Sequence, residues 1–385
     1  MSEQVCTRCI MDTTVPRIVF DADGVCNYCH FHDKLDADFP QGPAGDAKLQ
    51  NIYDAVRARG RGKKYDCVVG LSGGRDSTYL LYHLTKKVGL RCLAVHFNDG
   101  FGNPVGGENM QVATRKLKVD MRTISADWRE SKDIKLACLK ASVPDLNLGV
   151  DLGLGAALYG AAASEGLRHV FIGQSFRTEG IAPLEWNYLD GRYLAAIHRK
   201  FGAVELRPWR ANDPGFHLNW NHLFYYTVIR RIRVVTPFYN MDYVRSEVDE
   251  VLARELNWKD PGGHYFDDLF QALLTHVIRR KFNIDRRKFN YSALVRSGQM
   301  SRDDALSKIA GTYSVEDPKI ISLCIKRLGI TQDDLERFIL APPKFFWDYP
   351  NLLQPIRRLS WFIKILADLE LIPKSTYEKY CGGLI

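Results

Sequence analysis

A chain of 385 residues with 46% apolar and 25% charged residues has the composition of a folded globular protein, and its length calls for two or three domains. No stretch of about 18 uncharged apolar residues occurs, and Met1–Cys6 shows neither a basic segment nor the apolar core of a secretory signal, so a cytoplasmic protein is expected. The net charge of +8 suits nucleic acid, but equally ATP or an anionic nucleotide-sugar, so charge alone does not choose.

Nine cysteines in a cytosolic chain argue against a disulfide framework. Four of them form two Cys-x-x-Cys pairs, Cys6/Cys9 and Cys26/Cys29, separated by 16 residues. A two-residue gap lets both thiolates of a pair face one ion, and two pairs complete a closed, structural tetrahedral zinc site. A redox Cys-x-x-Cys is the competing reading. Between the pairs, Arg17–Val25 reads as a short hairpin with an Asp-Gly turn. Residues 39–46, with Pro40, Gly42, Pro43 and Gly45, read as a linker, and a helix over 48–59 leads to the first strand.

That strand, Asp66-Cys67-Val68-Val69-Gly70-Leu71, runs into Ser72-Gly73-Gly74-Arg75-Asp76-Ser77 and then an apolar-striped helix. Two glycines let the backbone approach a ligand closely. The free N–H groups of the following helix N-terminus favour phosphate, Ser72 and Ser77 add hydroxyls, and Asp76 is a magnesium candidate. The Gly-x-x-x-x-Gly-Lys-Ser/Thr spacing of a kinase-type loop is absent. The hexapeptide resembles the Ser-Gly-Gly-x-Asp-Ser signature of the PP-loop ATP pyrophosphatases, which cleave ATP between the α and β phosphates and adenylate an oxygen of the substrate. With the loop, Leu71 is assigned to the nucleotide.

A second strand over 91–97 brings His96, Phe97 and Asn98 to the same crevice, where they would meet adenine and ribose. Helix near 108–118, strand 121–124, a helix opening after Asp127, an alanine- and glycine-rich helix over 151–163, and strand His169–Gly173 continue the alternation. Such alternation implies a doubly wound parallel sheet. Gly173-Gln174-Ser175-Phe176-Arg177-Thr178-Glu179 resembles the second PP-loop element, which implies α-phosphate contacts from Gly173, Gln174 and Ser175 and a second magnesium ligand in Glu179. Residues 222–235 read as a basic helix and 242–256 as an acidic amphipathic one.

Gly262-Gly263-His264 and the run Arg279–Lys288 form a glycine-hinged loop followed by clustered Lys/Arg with aromatic anchors, read as a fixed anion site. The order of parts, zinc ribbon, Ser-Gly-Gly-x-Asp-Ser, Gly-Gly-His, then Lys281-Phe282-x-x-Asp285-x-Arg287, resembles the N-acetyl sugar amidotransferase family of surface-polysaccharide and flagellin-glycan enzymes. The resemblance runs from Cys6 to about Ala305. It departs from the family pattern at His264-Tyr265-Phe266-Asp267-Asp268, where Lys-His and a downstream Glu are expected. It implies the PP-loop (adenine nucleotide alpha hydrolase-like) fold with a ribbon over 1–45, an ATP pyrophosphatase domain over 46–236 and a helical domain over 237–385. It further implies ATP and magnesium, structural zinc, Lys281 and Arg287 for pyrophosphate or sugar-nucleotide anions, and His264 as an acid/base candidate.

The implied reaction adenylates the acetamido oxygen of a nucleotide-activated N-acetyl sugar, and ammonia then displaces AMP to leave an acetamidino group. No cysteine sits in a glutaminase context, so the resemblance implies ammonia from a separate glutaminase and barrel-type synthase pair. The rival class is tRNA thiolation, which needs reactive cysteines beside the ATP site; no Cys-x-x-Cys follows Cys29. A binding-only role on nucleic acid is the third reading, and salt-dependent tRNA binding would favour either rival.

Overall fold

The computed structural model of the chain describes residues 4–262 and 268–382. Its centre is a five-stranded parallel sheet of order β3-β2-β1-β4-β5, with β1 Cys67–Gly70, β2 Cys92–Asn98, β3 Asp120–Ser125, β4 His169–Phe171 and β5 Arg233–Val235. The central strand β1 is covered on both faces, which is why it reads as an unbroken apolar run. Val68 points with Leu93, Val95 and Val170 into one core layer; Cys67 and Val69 point with Cys92, Ala94 and Phe171 into the other.

The chain leaves β1 toward β2 and β3 on one side, then returns to lay β4 and β5 on the other. Strand order therefore reverses between β1 and β4, the place where doubly wound sheets open a crevice. Both loops that border it, Leu71–Gly74 and 172–175, follow these strands directly.

Two local expectations are corrected. The stretch read as a linker over 39–46 already starts a helix, Gly42–Gly60, because Pro43 is preorganised for a first helical turn. The basic helix read over 222–235 stops at Ile229 in a π turn. Arg231 adopts a left-handed backbone, φ 54°, and Val234 and Val235 pair with Val170 and Phe171 as the edge strand β5. β-Branched residues fit that pleated edge better than a helix.

The C-terminal half is helical, from Arg245–Leu256 through Phe270–Phe282 and Arg287–Arg296 to Lys374–Cys381. No helix among the described residues is long and apolar enough to cross a membrane. The cysteine ribbon packs into the same apolar core as the far layer of the sheet.

Candidate functional site

The Ser72–Ser77 loop is held in one shape by its own atoms. Ser72 Oγ and Ser77 Oγ lie 3.0 Å apart, the Ser72 N–H donates to Ser77 Oγ at 3.1 Å, and the helix Arg75–Tyr82 starts immediately beyond. Gly73 has φ +84°, and a Cβ there would sit 2.0 Å from the Gly106 carbonyl oxygen. Its own carbonyl accepts from Asn109 Nδ2 and Trp258 Nε1, each at 3.0 Å. Gly173 is needed for a second close approach, since a Cβ would meet the Asp76 carbonyl oxygen at 2.7 Å. The two loops thus touch backbone to backbone.

Asp76 and Glu179 meet across this contact. Burial, the Asp76 charge and a hydrogen bond to Asp76 together push the Glu179 carboxyl well above its ordinary range. The Tyr243 hydroxyl donates to Asp76 Oδ1. Two carboxyls crowded together beside a phosphate-type loop fit a magnesium ion, which takes one or two carboxylates and completes its shell with phosphate oxygens and water.

The loop borders a cleft of about 550 Å³, within the range of small-molecule sites. Leu71, Ser72, Gly74, Arg75, Asp76 and Ser77 line it, as do His96, Phe97, Asn98, Gly173, Gln174 and Glu179. Gly73 stands behind the wall, and Ser175 is buried as the cap of Phe176–Glu179, accepting from the Arg177 N–H. His96 Nδ1 lies 3.0 Å from the Leu71 carbonyl, and burial lowers its pKa. Arg75 forks onto Asp249 and lies over the Trp258 ring.

The cleft is also lined by Asp145, Asn147, Asp151, Trp186, Gln271 and Arg286. Of these, Arg286 fell within the run read as an anion site, and the others were given no role from the sequence. One signal was available: Asp151 is the single charged residue in the otherwise apolar helix Leu148–Ser164.

Lys281 and Arg287 do not line the cleft, which corrects their expected placement. Lys281 Nζ donates to Ser142 Oγ at 3.0 Å and to the carbonyls of Phe338 and Ala341. Arg287 forks onto Asp285 and reaches the carbonyls of Lys308, Ile309 and Gly311. A buried cation whose donors are already matched gains nothing by leaving them for a ligand. His264 lies outside the described residues.

Cys6, Cys9, Cys26 and Cys29 are fully buried with all four sulfurs within 4.8 Å of one another, a candidate metal centre. Arg296 reaches Cys29 Sγ with Nε and Cys9 Sγ with Nη2, each at 3.3 Å. Burial alone would lower its pKa, but the Cys9, Cys29 and Cys26 sulfurs raise it above the ordinary arginine value. Arg302 donates to the Cys6 and Cys9 carbonyls, and Lys288 pairs with Asp12 at 2.5 Å. The other five cysteines do not line the cleft; burial pushes the Cys138 and Cys324 thiols up to about 12.

Residues 265–361 match the family model of the C-terminal domain of WbpG-like LPS biosynthesis proteins. The likeness to that domain is confined to these residues, about a quarter of the chain. This segment supplies Gln271, Arg286 and Phe289 to the cleft and Arg296 to the cysteine cluster, and the match agrees with the surface-glycan family expected from the sequence. No curated protein matches the chain. Among solved structures, the NH3-dependent NAD synthetase of Campylobacter jejuni is 16% identical at a TM-score of 0.31, covering 78% of this chain and 98% of its own. An NMN synthetase from Francisella tularensis is 16% identical at 0.30, covering 74% and 93%. The U34-tRNA thiolase NcsA of Methanococcus maripaludis, with its [4Fe-4S] cluster, is 15% identical at 0.30, covering 74% and 91%. Scores of this size carry no conclusion about activity.

Proposed function

We propose that the protein is an ATP-dependent, AMP-forming amidotransferase of O-antigen, LPS or related surface-glycan biosynthesis. It would adenylate the acetamido oxygen of a nucleotide-activated N-acetyl sugar and let ammonia displace AMP, leaving an acetamidino group. One observation carries the reading. A glycine loop with a carboxyl pair lines a cleft, and the same cleft presents the Asn147, Gln271 and Trp186 side chains, of the kind that hold a sugar. The WbpG-like domain supports the glycan context.

An amide oxygen is a poor leaving group, and transfer to AMP makes it a good one. Ser72, Ser77 and the backbone at Gly74 orient the phosphates. Asp76 and Glu179 would hold magnesium, whose charge screens the departing pyrophosphate. His96, Phe97 and Asn98 flank the nucleoside. Domain limits at 45 and 236, a cytoplasmic location and delivery of ammonia by a glutaminase and synthase pair belong to the same proposal.

We also assign zinc to the cysteine cluster. Tetrahedral zinc with bonds of about 2.3 Å spaces its sulfurs by about 3.8 Å, and three of the pairs lie at 3.6, 3.7 and 3.9 Å. A cubane cluster binds each thiolate to a different iron and spreads them further apart. Metal analysis should find about one zinc per chain; an iron–sulfur chromophore would overturn the assignment. Thiolation is not favoured, because no cysteine lines the cleft.

The reaction is tested with candidate N-acetylated nucleotide-sugars, ATP, magnesium and ammonium salt. AMP and pyrophosphate should appear together with a product in which NH has replaced O. Release of ADP and phosphate instead would overturn the reading.

A further inference from the structure

Resting on that reading, we propose that Asp151 is the general base of the second half-reaction, taking a proton from the nitrogen that displaces AMP. Asp151 lines the same cleft as the phosphate loop. It stands in the helix Leu148–Ser164, which is otherwise free of charge. It lies in the first turn of that helix, where the free N–H groups favour a carboxylate. Its Oδ1 receives a 3.3 Å bond from Asn147 Nδ2, the one hydrogen bond its carboxyl makes among the described residues.

Its neighbour in the same wall differs. Asp145 accepts the Tyr188 N–H at 2.8 Å through one oxygen and the Tyr193 hydroxyl at 3.2 Å through the other. Asp145 is therefore a strut for the loop at 187–190, and Asp151 is the carboxylate left for a ligand. The charged groups that act on Asp151 are Arg286, which shares the cleft, Lys379 and Lys135, with Asp145 on the acidic side. Burial pushes its carboxyl up to about 6, against the pull of Arg286 and Asn147. A base in that range is ionised at neutral pH yet strong enough to accept a proton.

The step balances. The ammonia lone pair forms the new C–N bond at the imidate carbon, leaving positive charge on that nitrogen. The Asp151 carboxylate takes the proton, and the C–O bond to AMP breaks with its electron pair. The product is the amidine, with Asp151 protonated until it exchanges with solvent.

The two half-reactions are read separately on Asp151→Asn. Acceptor-dependent ATP–pyrophosphate exchange, run without ammonium, reports adenylation; amidine formation reports the whole. Exchange should stay within about threefold of wild type, while amidine formation falls by about 100-fold or more. At a fixed concentration of free ammonia, the wild-type fall in rate as pH drops through about 6 should be missing from the residual Asp151→Asn activity. Loss of exchange together with product would make Asp151 an acceptor-binding or structural residue and overturn the proposal, as would undiminished amidine formation. Absence of exchange in the wild type itself would overturn the amidotransferase reading, and this proposal with it.

Discussion

The Ser72–Ser77 loop and the stretch Arg279–Arg302 are both dense in hydrogen-bond donors, and they direct them oppositely. In the loop, bonds between Ser72, Ser77 and Gly74 fix the backbone and leave its inner surface facing the cleft. In the basic stretch, the donors turn inward onto the protein's own oxygens and sulfurs. Arg287 caps three carbonyls, Lys281 two, Arg302 the carbonyls of Cys6 and Cys9, and Arg296 the thiolates themselves. Arg286 alone of the named cations in that stretch lines the cleft. Most of this positive charge therefore fastens the ribbon to the C-terminal helices, and Arg286, which lines the cleft, also donates from Nη1 to Gln271 Oε1 at 2.6 Å.

Variants that break the loop should have the largest consequence. Asp76→Asn keeps the size of the side chain but removes the carboxylate charge that crowds Glu179 and that would hold magnesium with it. Adenylation should fall by about 10²–10³-fold, read as loss of acceptor-dependent pyrophosphate exchange with an unchanged circular dichroism spectrum. Exchange that survived would move the metal site elsewhere. Arg296→Met tests the other region on its own terms. Groups that hold metal ligands cost about 10–100-fold in affinity when removed, so zinc should pass faster to a chelator while the freshly loaded enzyme keeps its rate. Retention as strong as wild type would show the Arg296 contacts to be incidental. Arg286→Met sharpens the exception. It should raise the acceptor KM by about tenfold, near the loss of one charge-assisted hydrogen bond, with ATP KM unchanged. An effect on ATP alone would place Arg286 with the nucleotide instead.

How far each region could be read from residues follows from the same contrast. The strand, the glycines and the helix after them are sequence-local, so backbone chemistry alone located the loop, and the Gly73 and Gly173 contacts explain why nothing larger fits. The Cys-x-x-Cys pairs were legible for the same reason. Lys281 and Arg287 misled because charge and spacing do not reveal partners 57 and 60 residues distant, such as the Phe338 and Ala341 carbonyls. Tyr243 and Trp258 were missed because they reach Asp76 and Gly73 from 167 and 185 residues away. Strand β5 was missed because a basic run that begins as a helix conceals a three-residue edge strand. Asp151 was visible as an isolated charge in an apolar helix, yet only the fold brings it to the cleft.

Lys281→Met carries the smallest expected effect on activity and decides most about the basic stretch. The methionine keeps much of the apolar stem but leaves the Phe338 and Ala341 carbonyls without their shared donor. An unsatisfied buried polar group costs about 1–3 kcal/mol, partly offset here because a charged ammonium no longer has to be held away from water. A net loss of about 1–2 kcal/mol of stability is expected, seen as a lower denaturation midpoint with an unchanged denaturant slope. Below that transition, kcat/KM for ATP and for the acceptor should both stay within about twofold of wild type. A folded Lys281→Met protein that had lost pyrophosphate exchange would return this lysine to the substrate, and with it the basic stretch as an anion site. Unchanged kinetics with lowered stability fit only a cation whose ligands are the protein's own carbonyls.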